Sequence, residues 1–143
     1  MSASLYNADI LRLAANIPHH ARLADAQASA ERRSAVCGSR VTADVRLGDD
    51  GRIAALGLEV RACALGQATA SLMAAHAIGR SVPEMVDARD RLAAFLSGVG
   101  GALDFWPGLD ILAPAQAYPG RHASIRLAFE AAAEAAEKAG DHA

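Results

Sequence analysis

Apolar and polar residues alternate through "VTADVRL", where Val41, Ala43, Val45 and Leu47 are set against Thr42, Asp44 and Arg46, the period of a half-buried strand. "IAALGLEV" repeats the pattern, with Ala54, Leu56, Leu58 and Val60 against smaller or polar neighbours. Between them "GDDGR" supplies turn chemistry. A two-residue Asp50-Gly51 turn pairs Asp49 with Arg52, and therefore Val45 with Leu56, Ala43 with Leu58 and Val41 with Val60. All these apolar partners fall on one face, so turn and pattern agree on register.

The remaining periodicity is helical. Leu5, Ile10, Leu13 and Ile17 predict a short opening helix that Pro18 ends. "HHARLADAQASAERRS" lacks periodicity and is expected to be a loop. A helix is expected directly after Cys63, stopping at Gly79, a C-terminal cap. Ser81 and Glu84 form a capping box that opens a short helix to about Ala88, and "DRLAAFLSG" predicts a separate one with Leu92, Phe95 and Leu96 inward. "GVGGALDFWPGLDILAPAQAYPG" is expected as a Gly/Pro-punctuated connection, and "RHASIRLAFEAAAEAAEKAG" as a long terminal helix. This order predicts an α+β domain over residues 1–143: an N-terminal helix, a small antiparallel sheet built on the hairpin, then helices packed on one face.

Composition sharpens that outline. Hydrophobic residues make up 52% of the chain but aromatics only 4%, so Ala, Leu and Val must fill the core. A formal charge of −2 gives no basic surface for nucleic acid. No apolar run is long enough for a membrane span, and "MSASLYNADI" lacks the regions of a secretory signal. The expectation is a soluble cytoplasmic protein, whose thiols stay reduced.

That matters for the two cysteines. Extending the hairpin register sets Cys63 opposite Gly38, one residue from Cys37, so the two thiols arrive at the same open end with their orientation undetermined. They could be unrelated core residues, a disulfide, or half of a soft-metal site. Cys63 precedes the first turn of a helix, whose N–H groups favour an anion. Arg32, Arg33, Arg40 and Arg61 lie near one cysteine or the other in sequence, while Asp49 and Asp50 sit at the far tip. A tetrahedral site needs further ligands. His122, at the start of the last helix, is the first candidate, followed by His19 and His20. His76 and His142 are expected at the surface or in the tail. No paired carboxylates, Ser/His/Asp array or phosphate-cradling loop is legible, so no enzyme activity is expected.

The stretch "CGSRVTADVRLGDDGRIAALGLEVRACALGQATASLMAAHAIG" resembles the core of the NifU N-terminal/IscU-like iron–sulfur cluster scaffold family, and "LYNADILRLAANIP" and "YPGRHASIRLAFEA" resemble its first and last helices. The resemblance implies transient assembly of a [2Fe-2S] cluster, with iron held by Cys37, Cys63 and, as a weaker third ligand, His122. It also implies sulfur delivered by a cysteine desulfurase and transfer to apo-protein acceptors. Two departures stand out. Ser39 occupies the place of the family's acidic residue after Cys-Gly, and the third cysteine is replaced by Ala123 or Ser124 according to register. Two thiolates and an imidazole suit iron–sulfur, zinc or Cu(I), and a homodimer would supply four thiolates. The rival expectation is a cluster-free or zinc-binding interaction protein that docks on the desulfurase.

Overall fold

Helix α1 (Ala8–Ala15) begins at Asn7, whose side-chain oxygen accepts from the Ile10 N–H at 3.0 Å, and gives way at Asn16, ahead of Pro18. The computed structural model describes residues 5–35 and 37–141; His142 lies outside the described residues.

Three antiparallel strands follow, β1 (Ala28–Arg33), β2 (Arg40–Leu47) and β3 (Ile53–Arg61), in the spatial order β1-β2-β3. Val45 pairs with Leu56, Ala43 with Leu58 and Val41 with Val60, the register that the hydrophobic pattern requires. The turn itself differs from the expected two-residue loop. The Gly48 N–H donates to the Arg52 carbonyl at 2.8 Å, which leaves the three-residue loop Asp49–Gly51, with Gly51 left-handed at φ 77°. Leu47 then pairs with Ile53 and Arg46 with Ala55, so Ala54 is a bulged extra residue that restores the register. Ile53 is consequently buried and Ala54 exposed, the reverse of the expected alternation at that end.

Strand β1 lies within the segment expected to be a loop. Only Ala30 of its six residues is buried, so it carries no apolar alternation of its own; pairing to β2 makes it a strand.

The helices are α2 (Ala64–His76), α3 (Val82–Leu96) and α4 (His122–Asp141). Helix α3 is continuous where two helices are expected. Both bonds of the Ser81–Glu84 capping box form, and Met85, Ala88, Leu92 and Leu96 make one buried stripe. The charged "DARD" residues decorate its outer side, with Asp87 and Arg91 paired at 3.0 Å, and do not mark a boundary.

The Gly/Pro-rich connection is a packed layer, not a spacer. It contains 3-10 helices at Leu109–Ala117 and Pro119–Arg121, and it buries Leu103, Trp106, Leu109 and Leu112. The Trp106 indole donates to the Leu72 carbonyl at 2.9 Å and meets Phe129 edge-on, with ring centroids 5.0 Å apart.

Helix α4 is the centre of the molecule. It lies on β1 and β2, between α2 and α3, and buries Ala128, Ala131, Ala132, Ala135, Ala136 and Ala139. Small side chains let three elements close around one helix, which accounts for a core with so few aromatics. Arg32 projects from β1 to this side, 3.2 Å from Glu134 of α4.

The opposite face of the sheet is anchored at one buried carboxylate. Asp44 is fully buried in β2 and accepts from Arg22 (2.7 and 3.0 Å), the Leu23 N–H (2.8 Å) and Ser29 (2.5 Å). These bonds hold residues 19–25 across the sheet. A Cβ on Gly57 would lie 2.6 Å from the Ala21 carbonyl oxygen, so that crossing requires glycine there. The Leu58 N–H donates to the His19 and Ala21 carbonyls, which covers the outer edge of β3. No helix among the described residues is long and apolar enough to cross a membrane.

Burial pushes the Asp44 carboxyl up, but the bonds from Arg22, Ser29 and Leu23 and the charge of Arg22 outweigh it, so its pKa is depressed. A depressed carboxylate contributes stability above its unfolded pKa and loses it as pH falls through the folded one. Urea unfolding from pH 7 down to pH 2 is therefore expected to show a falling midpoint, with a shallower fall in Asp44→Asn. That variant is expected to lose about 3 kcal/mol at pH 7, the scale of a broken buried ion pair. A pH dependence identical to wild type would contradict the anchor.

Candidate functional site

Cys63 is the N-cap residue of α2, with extended backbone (φ −65°, ψ 171°) and a carbonyl that accepts from the Gln67 N–H at 2.9 Å. Its side chain makes no capping bond, which leaves the thiol to face the neighbouring elements. Cys37 rides in the turn between β1 and β2. That turn is closed by the Gly38 N–H donating to the Ser34 carbonyl (3.1 Å) and the Ser34 N–H donating to the Ser39 carbonyl (2.9 Å). Cys37 is exposed and Cys63 half-buried, and both are free thiols.

Serine hydroxyls join them. Cys37 Sγ lies 3.4 Å from Ser34 Oγ and 3.0 Å from Ser39 Oγ; Ser39 Oγ is 3.3 Å from Ser124 Oγ; and Ser124 Oγ is 3.3 Å from Cys63 Sγ. The three serines are buried. Ser124 reaches this position because α4 begins against the first turn of α2 at Gly66. A Cβ on Gly66 would lie 2.7 Å from Ser124 Oγ and 2.8 Å from the Ala62 Cβ, so only glycine permits the approach.

The hydroxyls also set the chemistry of Cys37. Hydrogen bonds from the Ser34 side chain and from the side chain and backbone of Ser39 favour the thiolate over the opposing effect of burial. Ser124 adds to them, and the Cys37 pKa is lowered to about 7. A thiol of this kind is a nucleophile and soft-metal ligand near neutral pH.

Of the sequence-derived candidates, the structure brings Cys37 and Cys63 to one hydrogen-bonded cluster. It does not bring the histidines there. His122 Nε2 lies 2.9 Å from the Ala115 carbonyl oxygen and 3.1 Å from that of Gln116, so the ring ties α4 to the preceding 3-10 helix. His19 and His20 are exposed in the segment along β3, and His76 is exposed at the end of α2. Among the described residues no three of His, Cys, Asp and Glu gather as a metal-ligating group.

Of the two residues at the start of α4, Ser124 is the one whose side chain stands beside Cys63. Sequence reasoning did not find Ser34. Its signal was local: "SAVCGS" flanks Cys37 with a serine on each side, at the spacing of a tight turn.

The family model for the NifU-like N terminal domain matches residues 5–103. Among solved structures, the chain is similar to the N-terminal part of a nitrogen-fixing NifU-like protein from Brucella abortus. The two are 35% identical, with 98% of this chain and 97% of that one covered and a TM-score of 0.91. A candidate iron–sulfur cluster assembly scaffold protein for the SUF system, from the thermophile Fervidobacterium islandicum AW-1, shares the fold at 20% identity. There the TM-score is 0.86, over 95% of this chain and 99% of that one. No curated protein sequence matches.

Iodoacetamide alkylation of the Cys63→Ser variant, followed against pH, is expected to rise through a midpoint of about 7. Replacing Ser34 by Ala should move that midpoint upward, because the thiolate loses one of the hydroxyls that stabilise it. An unmoved midpoint would show that the hydroxyls do not set the acidity of Cys37.

Proposed function

The chain belongs to the family of NifU-like N-terminal domains, and from that premise we propose that it is an iron–sulfur cluster assembly scaffold. Iron and sulfide are its cargo, and Cys37 and Cys63 hold them. The observation that carries this reading is the pair of sequence-distant thiols joined through Ser39 and Ser124 at one end of the molecule. Thiolates select soft and borderline metals. The lowered pKa of Cys37 favours the thiolate, the form that binds iron and accepts sulfane sulfur from a persulfide.

The donor chemistry fits such a cargo in part. Two thiols supply half of a tetrahedral set; by the resemblance Ser39 takes the place of the family's acid, and the third thiol is replaced by Ala123 or by Ser124, whose hydroxyl lies beside Cys63. His122 Nε2 faces the Ala115 and Gln116 carbonyls, so Nδ1 is the ring nitrogen left for a ligand, and the proposal keeps the residue in its positioning role. The remaining ligands come from outside the single chain, from a small thiol or from a second copy.

The finer reading is a [2Fe-2S] cluster built from sulfur delivered by a cysteine desulfurase and passed to apo-proteins in the cytoplasm. In this reading the protein holds its cargo and does not turn it over; among the described residues no paired acid and base stands beside the thiols.

Ser39 and Ser124 also favour a second reading, a relative that kept the fold for docking on a desulfurase and binds zinc or nothing. Anaerobic incubation with iron, cysteine and a cysteine desulfurase separates the two. Equal amounts of bound iron and sulfide are expected, lost in Cys63→Ser. Ser124→Cys, which places a third thiol beside Cys63, is expected to slow cluster loss by at least about tenfold, the scale on which even outer partners change metal affinity. Zinc alone, or iron without sulfide, in a folded protein would overturn the scaffold reading.

A further inference from the structure

The turn that carries Cys37 is flanked by a row of three arginines. Arg33 on β1 pairs with Arg40 on β2, and Arg40 pairs in turn with Arg61 on β3. Cross-strand partners project from the same face, so three guanidinium groups stand side by side across the full width of the sheet, their strands about 5 Å apart. Like charges in directly opposed positions weaken a strand pair, and here the opposition occurs twice in succession.

The acids on that face do not balance the row. Glu31, one row further along, lies 2.7 Å from Arg33 and 3.9 Å from Arg40, and Glu59 is the other carboxylate nearby. Arg61 forms no ion pair among the described residues. A sheet edge that keeps an unpaired arginine against another arginine is built for an anion that the chain does not supply.

The space is there. Arg33, Arg40 and Arg61, with Ser34, Ala35 and Gly38, line an open groove of about 430 Å³. Ser34 links that groove to the thiol site, since its hydroxyl lies 3.4 Å from Cys37 Sγ. A guanidinium pairs with a carboxylate through two parallel hydrogen bonds, and a row of three suits two carboxylates some distance apart on one short molecule.

We propose that this groove binds a small thiol bearing carboxylates, a cysteine-containing amino acid or short peptide, with its carboxylates on Arg33, Arg40 and Arg61 and its sulfur beside Cys37. There the sulfur supplies a ligand that the two-cysteine set lacks. The ligation is an exchange: the S–H bond breaks and its proton goes to solvent water, the thiolate sulfur donates a lone pair to iron and displaces a water bound there, and nothing is oxidised or reduced. Only this ligation clause rests on the scaffold reading; carboxylate binding in the groove does not.

The test is a titration of the 15N-labelled apo-protein with S-methylglutathione, which keeps the carboxylates but can form neither a thiolate ligand nor a disulfide. Saturable shifts are expected at the amides of Gly38, Arg40 and Arg61. Affinity should fall by about tenfold or more in the Arg40→Gln/Arg61→Gln double variant, the scale of a lost charge-assisted hydrogen bond. The dimethyl ester should bind far more weakly than the parent, and added salt should weaken binding. The double variant should melt no lower than wild type, because it relieves the opposition of like charges. Absence of shifts, equal binding of the ester, or indifference to the arginine substitutions would overturn the proposal. So would preference for a poly-glutamate peptide over the small molecule, which would assign the groove to protein docking.

A second arm adds glutathione to the anaerobic loading reaction. More retained iron is expected in wild type but not in the double variant; equal gain in both would remove the ligation clause. If neither protein loads iron and sulfide, the scaffold reading fails while the titration still reports on the groove.

Discussion

The close approach of α2 and α4 at Gly66 is the contact on which the site depends. Cys63 is fixed as the N-cap of α2 and Cys37 by the β1–β2 turn, and neither element alone brings one thiol toward the other. The first turn of α4, pressed against Gly66, inserts the Ser124 hydroxyl between Cys63 and Ser39 and so closes the connection between the thiols. Beyond Phe129 every buried residue of this helix is alanine, so the sheet and two helices can close on its backbone and hold its first turn in place. The alanine-rich composition is thus part of how the site is made.

The sheet divides its charges by face. Toward α4 it is apolar except for Arg32, which is matched by Glu130 and Glu134. On the other side charge comes in rows, with Asp44 buried and fully bonded at the middle and arginines gathered at the end that carries the thiols. The first arrangement supports the fold, because the charges are paired. The second does not support it, and a feature that local stability disfavours next to a reactive thiol is most simply explained by what it binds.

Much of this was legible in the sequence, for physical reasons that differ by element. The hairpin was, because alternation over two long strands over-determines register: the turn was misplaced by one residue, and the Ala54 bulge returned the pairing to the expected one. Strand β1 was not, since a strand with one buried alanine has its pattern supplied by its partner. The sequence pattern divides helix α3 because charges on an outer face resemble a boundary when burial is unknown. The 97–121 connection concealed its packing because 3-10 turns have neither helical nor strand period, although Trp106 and the leucines around it are the signal of a buried segment. At the site, register brought the cysteines to one end, but only the docking of α4 shows Ser124 between them. His122, attractive by residue type, holds its Nε2 against backbone carbonyls that no sequence pattern marks.

If two cysteines 26 positions apart form one dithiol site, they bind a bridging reagent together. Trivalent arsenic bridges neighbouring thiols and leaves isolated ones available to alkylation. Titration of the reduced protein with phenylarsine oxide, read by mass and by residual thiol, addresses that claim most directly. The account predicts one arsenic per chain with both thiols consumed. Thiols that remain independently alkylable at saturation would contradict it.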